Sequence, residues 1–240
     1  MKILDDLLSG LNFDAGVRDI RQGPFQTAVV TRHCGLASTP HDQSHHQDAA
    51  PVKGAGTLMG KGALEIAQMA YSSSLLEAAI GMAAINSLLE IDEGRCVALN
   101  AGDLLAEKGK GKKVAIIGHF PFVSQLRQVV KELWVIEQHP WEGDLAETEA
   151  ESLVPQADVV GITGMAFTNH TIEGLLSLCR PEAYVIILGS TAPLSPILFN
   201  HGVDAVSGTK VVDPEAVLRC VSQGATFRQL TGIRLLTMER

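Results

Sequence analysis

The second half of this 240-residue chain carries a series of short apolar runs that alternate with segments of helical spacing. Five of these runs follow one another from Lys112 onward, in the order KVAIIG, LWVIEQ, ADVVGITG, AYVIILGS and VDAVSG. Each run is rich in β-branched residues and apolar at consecutive positions, which is typical of strands buried on both faces of a parallel sheet. Such strands, separated by helices, predict an α/β fold with a Rossmann-like sheet of about five strands over residues 109–240.

The first half follows a different pattern, which predicts a smaller domain. Its opening residues, MKILDDLLSGL, place leucine and isoleucine at helical spacing, and a β-rich run, FQTAVVTR, follows at residues 25–32. Two helical segments come next, at 63–71 and 74–90, with Ser74 in position to cap the second. We expect a small α+β domain over residues 1–108, joined to the second domain by the polar stretch AEKGKGKK.

Charge and cysteine content argue against several classes of protein. The net charge is −8, and phosphate binding needs clustered lysine and arginine, so we expect no nucleic-acid partner. The cysteines include no CxxC pair, and the N-terminus carries two adjacent aspartates where a secretion signal needs positive charge, which together predict a cytoplasmic protein with reduced thiols. The longest apolar segment, at residues 75–89, is interrupted by Glu77 and Asn86 and is too short to span a membrane.

Ligands of an open parallel sheet bind beyond the carboxyl ends of the strands, where loops meet helix N-termini. The first run leads into GHFPF, in which Gly118 permits a turn, His119 projects from the strand end and Pro121 stiffens the loop. His119 is therefore a candidate ligand or catalytic acid–base, because the pKa of histidine ordinarily lies near neutrality. A histidine that is simply hydrogen-bonded at the end of a buried strand is the equally open alternative.

Polar residues also follow the second, third and fourth runs. Glu137 lies about 20 residues after Gly118, the offset at which a nucleotide-binding Rossmann fold carries its ribose-binding carboxylate. Thr168 or Asn169 fits the N-cap of the next helix. The turn GST at residues 189–191 offers N–H groups and hydroxyls to an anion. A solvated glutamate and a plain helix cap are the alternatives, and spacing does not decide between them.

Three familiar nucleotide-binding or catalytic motifs are absent from the sequence. The glycine-rich GAGTLMGKG at residues 54–62 departs from a phosphate-binding loop, because its glycine spacing is one residue too long and Lys61 is followed by Gly62. The first run leads into GHFPF rather than GxGxxG, and GxSxG does not occur. A standard nucleotide hydrolase, a nicotinamide dehydrogenase and a nucleophile-elbow hydrolase are therefore disfavoured.

A histidine-rich stretch, RHCGLASTPHDQSHHQ at residues 32–47, raises the question of a metal site. Imidazole and thiolate are ligands of borderline metals such as zinc, so His33 and Cys34 are candidates. Adjacent residues of a strand point to opposite faces, so the two could bind one ion only where the strand has ended. His41, His45 and His46 stand among polar residues, which favours a surface loop.

Three blocks of the second half, KKVAIIGHFPFV, ADVVGITGMAFTNHTIEGLL and GSTAPLSPILFNHGVDAVSG, together resemble the bacterial and archaeal heavy-metal chelation family. TAVVTRHCGLAST and LLEAAIGMAAINSLL extend the resemblance over nearly the whole chain. The resemblance implies an enolase N-terminal-like domain followed by a Rossmann-like domain, with a ligand site in the cleft between them. It also implies a link to anaerobic cobalamin synthesis or metal uptake, in a family whose activity is not established.

The same resemblance implies which residues of this chain line the cleft. The first domain would supply one wall from residues 31–38 and from the turn that ends at Thr57. The histidine-rich insert after Thr39 does not belong to the family pattern. The second domain would supply the other wall, from Gly118, His119, Pro121, Asn169, Gly189, Ser190, Thr191 and Pro193.

Three functions remain open at this point. The first is the handling of a metal or metal chelate in the cleft, with a divalent metal ion as cofactor, His119 as ligand or acid–base, and the Ser190–Thr191 turn holding a carboxylate. The second is a nucleotide- or methyl-donor-binding transferase, in which Glu137 binds a ribose. The third is a non-catalytic protein that binds a small molecule. In each case we expect a small-molecule or metal-chelate partner and a homodimer.

Overall fold

Two β-sheets organise the fold in the computed structural model, which describes residues 1–40 and 52–240. A three-stranded sheet comes from the first part of the chain, and an eight-stranded sheet comes mainly from the second. One cluster of buried apolar side chains runs from Ile3 near the N-terminus to Met238 near the C-terminus, so the two sheets share a core. The predicted α/β class is confirmed. None of the helices within the described ranges combines the length and apolar character needed to cross a membrane.

The smaller unit is an antiparallel sheet accompanied by three helices. Its strands, paired in chain order, are β1 (Asp19–Gln22), β2 (Gln26–Val30) and β3 (Cys34–Ser38). Its helices are α1 (Lys2–Ser9), α2 (Ala63–Gln68) and α3 (Leu75–Leu88).

Helix α3 is the centre of this unit because nearly all of its residues are buried, as expected for a helix that is apolar all round. It packs against β2 and β3. A Cβ atom at Gly35 of β3 would lie 2.2 Å from the carbonyl oxygen of Ala83, so only glycine permits this approach. The predicted cap is confirmed, since the Ser74 side chain accepts a hydrogen bond from the backbone N–H of Glu77.

The larger sheet has the strand order β4-β11-β10-β9-β8-β5-β6-β7. Its strands are β4 (Cys96–Val97), β5 (Lys113–Ile117), β6 (Glu132–Glu137), β7 (Leu145–Ala146), β8 (Val159–Thr163), β9 (Tyr184–Leu188), β10 (Ala205–Val211) and β11 (Ile233–Glu239). Its helices are α4 (Ala101–Gly109), α5 (Val123–Leu126), α6 (Ala150–Leu153), α7 (Met165–Thr168), α8 (Ile172–Leu178) and α9 (Pro214–Ser222).

The five predicted runs form β5, β6, β8, β9 and β10, and these strands are parallel to one another. The sheet is wider than predicted, because β7 adds to β6 and β11 pairs antiparallel with β10. Strand β4 then pairs with β11, and α4 packs against β8 and β9. Residues 96–109 therefore lie against the larger sheet, and the domain boundary at 108/109 stays a prediction, as do the enolase N-terminal-like and Rossmann-like descriptions.

A 3₁₀ helix, Pro196–His201, lies between β9 and β10, and Gly202 ends it with a left-handed backbone (φ 83°). One predicted helix cap is wrong. Thr168 and Asn169 do not cap the following helix, because Thr168 is the last residue of α7 and α8 begins after Thr171. The Asn169 side-chain oxygen instead accepts hydrogen bonds from the Thr171 N–H and hydroxyl.

Candidate functional site

A cleft of about 950 Å³ opens at the carboxyl ends of the parallel strands. Loops after β5, β8 and β9 contribute to it, as expected for an open parallel sheet. Ser38, at the end of β3, contributes from the smaller unit. The lining residues with polar or ionisable side chains are Ser38, Asn100, His119, Gln125, Thr163, Ser190, Thr191, Ser207, Thr209, Thr226 and Arg228.

The two units meet at the turn that follows β9. The backbone N–H of Ser38 donates a hydrogen bond to Thr191 Oγ1 (2.9 Å), and the hydroxyls of Ser38 and Ser190 are 3.0 Å apart. Asn86 Nδ2 of α3 donates to the Thr191 carbonyl (3.2 Å). Helix α3 and strand β3 of the smaller unit therefore hold this turn at the edge of the cleft.

Glycine is required at two strand ends for different reasons. Gly118, after β5, has φ 107°, and a Cβ atom there would lie 3.1 Å from side-chain atoms of both Phe120 and Thr163. Gly189, after β9, has φ 110°, and nothing lies within 4 Å of the position of its absent Cβ. The space beside Gly189 is thus open to the cleft, which brings the backbone of the turn within reach of a ligand.

His119 presents one ring nitrogen to the cleft because the other is already bonded. Its Nδ1 lies 2.8 Å from Oδ2 of Asp144, whose side chain is only 2% exposed. An aspartate carboxylate can only accept, so Nδ1 carries the proton and Nε2 of the neutral ring keeps its lone pair. The His119 backbone N–H also donates to Glu137 Oε1 (2.8 Å). The structure therefore orients His119 through two carboxylates.

Aromatic side chains cover much of the cleft wall around His119. The Trp141 ring stacks on the imidazole with 4.6 Å between centroids, although 68% of the Trp141 surface is exposed. Phe120 and Phe122 stack on each other at 5.2 Å. The remaining large apolar lining residues are Leu99, Leu188, Phe227, Leu235 and Leu236. This lining suits a ligand with a flat apolar body.

The ionisable groups of the cleft are unlike those of the chain as a whole. The net charge of the protein is −8, yet the described lining residues include no aspartate or glutamate. Their ionisable side chains are those of His119 and Arg228. The cleft therefore offers a ligand no carboxylate, and Arg228 offers a positive charge to an acidic ligand group.

Several residues predicted for the site do not line this cleft. Glu137 uses its two carboxylate oxygens for the N–H groups of His119 and Gln138. Asn169 bonds to Thr171, and Pro193 lies buried just beyond the turn. Thr57 caps an exposed turn by donating to the Gly54 carbonyl. The structure brings together His119, Pro121, Gly189, Ser190 and Thr191, and Gly118 lies immediately beside them.

The residues proposed as metal ligands are not arranged around one ion. Cys34 is buried, and burial raises the pKa of its thiol to about 12, with Asp19 adding to the rise and Arg18 opposing it. A thiol in that state is a poor ligand, since metals bind the thiolate. His33 is half-exposed and lies 3.2 Å from Glu90. Within residues 1–40 and 52–240, no three histidine, cysteine or acidic residues form a metal-binding group. His41, His45 and His46 lie outside the described residues.

Reasoning from strand ends could not find the lining residues Trp141 and Arg228, nor Asp144, which bonds to His119. Asp144 and Trp141 lie in the loop between β6 and β7, within a strongly acidic part of the sequence that reads as solvated surface. Arg228 lies in a 3₁₀ helix, Phe227–Gln229, just before β11. The single local signal was Trp141, a large aromatic residue in an otherwise polar loop.

Comparison with known proteins identifies relatives of the same architecture. Residues 100–238 match the family model DUF364, and residues 4–89 match DUF4213; both carry the description "Putative heavy-metal chelation". An uncharacterised protein of Methanocaldococcus jannaschii is 29% identical over 161 residues, which cover 64% of this chain and 62% of that protein. This chain therefore spans less than two thirds of that relative.

Two crystal structures of proteins with unknown function resemble the chain over its whole length. One, from Desulfitobacterium hafniense, is 25% identical with a TM-score of 0.82, and the match covers 100% of this chain and 97% of the other. The second, from Pyrococcus horikoshii, is 23% identical with a TM-score of 0.83 and covers 100% and 98%. Both are proteins of the DUF364 family.

Proposed function

The chain belongs to the heavy-metal chelation family, and from that premise we propose that its cleft binds a metal ion that an organic chelator already holds. In this proposal His119 Nε2 fills an open coordination position of the metal. The chelate is cargo or substrate, and the proposal assigns no reaction to His119. The single observation that carries it is the Asp144–His119 hydrogen bond, which leaves Nε2 available at the cleft surface.

A resident divalent ion does not fit the residues that are present. Protein metal sites usually supply three or more ligands from imidazole, thiolate or carboxylate groups. The described lining residues offer one imidazole, together with hydroxyl and amide groups. A metal that arrives with most of its coordination sphere already occupied needs only one further ligand. The donor set therefore fits a chelate and does not fit a bare metal cofactor.

The size and lining of the cleft support the same ligand class. Small-molecule sites commonly measure about 300–1,000 Å³, so a volume of about 950 Å³ suits a large organic ligand. Phe120, Phe122 and Trp141 supply faces for an aromatic body. The Ser190 and Thr191 hydroxyls and the open backbone at Gly189 supply polar contacts at the same edge.

The alternative of a nucleotide- or methyl-donor-binding transferase loses the residue on which it depended. Glu137 was expected to bind a ribose, but its oxygens face backbone N–H groups and it is not among the lining residues. We therefore do not extend the proposal to that class. The proposal also includes a cytoplasmic location, a homodimer and a link to cobalamin synthesis or metal uptake.

The proposal predicts that a simple open chelate binds the cleft through His119. The zinc complex of terpyridine has three nitrogen donors and leaves positions for an imidazole. We expect His119→Ala to weaken its binding by about 100-fold or more, because loss of an outer-shell partner alone commonly costs 10- to 100-fold. Isothermal titration calorimetry with purified full-length protein measures this change.

The matched control is His33→Ala, which removes a half-exposed histidine that does not line the cleft. This variant should bind the zinc complex as the wild-type protein does. Terpyridine without zinc should bind the wild-type protein and His119→Ala equally, because it has no metal to coordinate. Unchanged affinity in His119→Ala, or a loss confined to His33→Ala, would overturn the proposal.

A further inference from the structure

We infer that the part of the cleft wall carrying Thr209 and Arg228 is a subsite for an acidic group of the ligand, a carboxylate or a phosphate. The inference rests on the proposed function, because it identifies the bound chelate as one that carries an acidic group. It adds a second point of recognition, several strands away from His119 in the larger sheet.

Strand register places two polar side chains of β10, Ser207 and Thr209, on the cleft side, and the Ser207 hydroxyl is already bonded to Thr237. Thr209 lies directly opposite Leu235 of β11, and both residues line the cleft. The next pair, Lys210 and Arg234, points to the other face because side chains alternate along a strand. Those two cations both bond to Glu93. The neighbouring cations are thus paired with a carboxylate on the opposite face, while the cleft face carries Thr209.

Arg228 and Thr209 both retain unused hydrogen-bonding capacity. Arg228 lines the cleft and forms no hydrogen bond or ion pair with any residue of the described ranges. Thr209 Oγ1 is buried and lacks a hydrogen-bond partner among the same residues. Buried polar atoms are nearly always satisfied, and an acidic ligand group in the cleft would supply the partner that the Thr209 hydroxyl lacks. A guanidinium and a hydroxyl together are well suited to a carboxylate or phosphate.

The strand order sets the distance between this subsite and His119. Strands β10 and β5 are separated by β9 and β8, which makes three strand spacings. At about 4.8 Å per spacing the separation is about 14 Å. The register between strands also fixes the height of Thr209 along the strand direction. Ser207 pairs with Leu188, Leu188 with Thr163, and Ile162 with Ile117. Thr209 therefore lies at nearly the same height as the loop after β5. A ligand that reaches both points is therefore long and carries its acidic group far from its metal.

None of the described lining residues competes with the ligand's acidic group for Arg228. No carboxylate occurs among the described lining residues, so Arg228 meets no internal counter-ion in the cleft. Arg228 is exposed and unpaired, so its positive charge draws an anion toward this part of the cleft. Phe227, next to Arg228, also lines the cleft and adds an apolar surface there.

A pair of chelates that differ in one charge tests the subsite. The probes are the zinc complexes of carboxyphenyl-terpyridine and of its methyl ester, titrated into the full-length protein. We expect the wild-type protein to prefer the acid by about 10- to 150-fold, the range of a hydrogen bond to a charged group. Arg228→Gln should abolish the preference by weakening the acid alone. Arg219→Gln, an exposed arginine of α9 outside the cleft, is the matched control and should keep it.

The outcomes separate this inference from the proposed function. Binding of neither probe would refute the proposed function. If the wild-type protein binds the acid and the ester equally, and Arg228→Gln changes neither affinity, the anionic subsite is refuted and the proposed function stands. His119→Ala should weaken both probes equally. A phosphonate in place of the carboxylate distinguishes the two acidic groups, and the one that binds more tightly identifies the natural chemistry.

A second variant tests the inference without removing a charge. Thr209→Val keeps the shape of the side chain and removes the orphan hydroxyl. We expect the acid probe to bind about 3- to 10-fold more weakly and the ester to be unaffected, the loss expected for one neutral hydrogen bond. The midpoint of urea unfolding should stay the same or rise, because no protein hydrogen bond is lost. Unchanged acid binding, or a clearly lowered midpoint, would contradict the role given to Thr209.

Discussion

One imidazole in the cleft is held in a single orientation by its neighbours. Asp144 accepts hydrogen bonds from His119 Nδ1 at 2.8 Å and from the Trp141 backbone N–H at 3.2 Å. A buried carboxylate is costly unless it is hydrogen-bonded, so these donors explain why Asp144 lies inside the protein. Asp144 touches no part of the cleft surface and acts through His119. It is therefore a positioning residue.

Replacing Asp144 by asparagine should disturb the tautomer of His119 with little change in shape. An amide can donate to Nδ1, which would move the ring proton to Nε2 and remove the lone pair that faces the cleft. We expect zinc-terpyridine to bind Asp144→Asn about 10- to 100-fold more weakly, while metal-free terpyridine binds as before. Calorimetric titration of both probes measures the difference. Equal losses for the two probes would indicate a structural role and contradict the tautomer argument.

Among single residues, the sequence identifies His119 as a candidate but does not identify Asp144 as its hydrogen-bond partner. His119 follows a recognisable buried strand, so its position at the sheet edge can be predicted. Asp144 is one of many acidic residues between β6 and β8, and nothing local indicates which of them turns inward. Arg228 lies beyond the last predicted strand, so its approach to the cleft depends on a tertiary contact.

Strands with apolar side chains on both faces could be predicted from the sequence. Strands that form by pairing with a neighbouring strand could not. Strands β5, β6, β8, β9 and β10 are buried in the middle of the sheet and read as continuous apolar runs. Apolar and polar residues alternate less clearly in β11, which is held as a strand by its pairing with β10. Strand β3, with the sequence CGLAS, has small residues because α3 lies directly on it.

Close packing against a neighbouring segment makes glycine essential at one helical position. A second helical glycine has no such neighbour and can be replaced. A Cβ atom at Gly81 of α3 would lie 1.9 Å from the backbone nitrogen of Ala70, whereas a Cβ at Gly174 of α8 would meet nothing within 4 Å. We expect Gly81→Ala to destabilise the protein by about 3 kcal/mol or more through overpacking against backbone. Gly174→Ala should stabilise it by about 0.5–1 kcal/mol, because alanine has less backbone freedom to lose.

Urea unfolding of the two variants measures these changes, with the slope of the free energy against urea checked for each. The signs of the two effects should be opposite. Destabilisation by Gly174→Ala, or a tolerated Gly81→Ala, would show that the contact between α3 and the segment around Ala70 is looser than described.

The whole molecule brings two sheets to one cleft, and this arrangement was implied by family resemblance rather than by periodicity. Periodicity separates a small α+β unit from a parallel sheet, but it does not say how the two pack. The two units share an apolar core, and polar contacts at the cleft edge add to it: Ser38 with the turn at 190–191, and Asn86 with the Thr191 carbonyl. They depend on residues that are about 105 to 153 positions apart, so no local pattern could reveal them.

The location of zinc in a crystal of the complex tests the central claim most directly. Crystals of the wild-type protein with the zinc complex of carboxyphenyl-terpyridine allow an anomalous difference map at the zinc absorption edge. We expect one strong peak in the cleft, about 2.0–2.1 Å from His119 Nε2, with the carboxylate directed toward Arg228. A zinc peak on His33 or another histidine outside the cleft, with the cleft empty of chelate, would contradict the account.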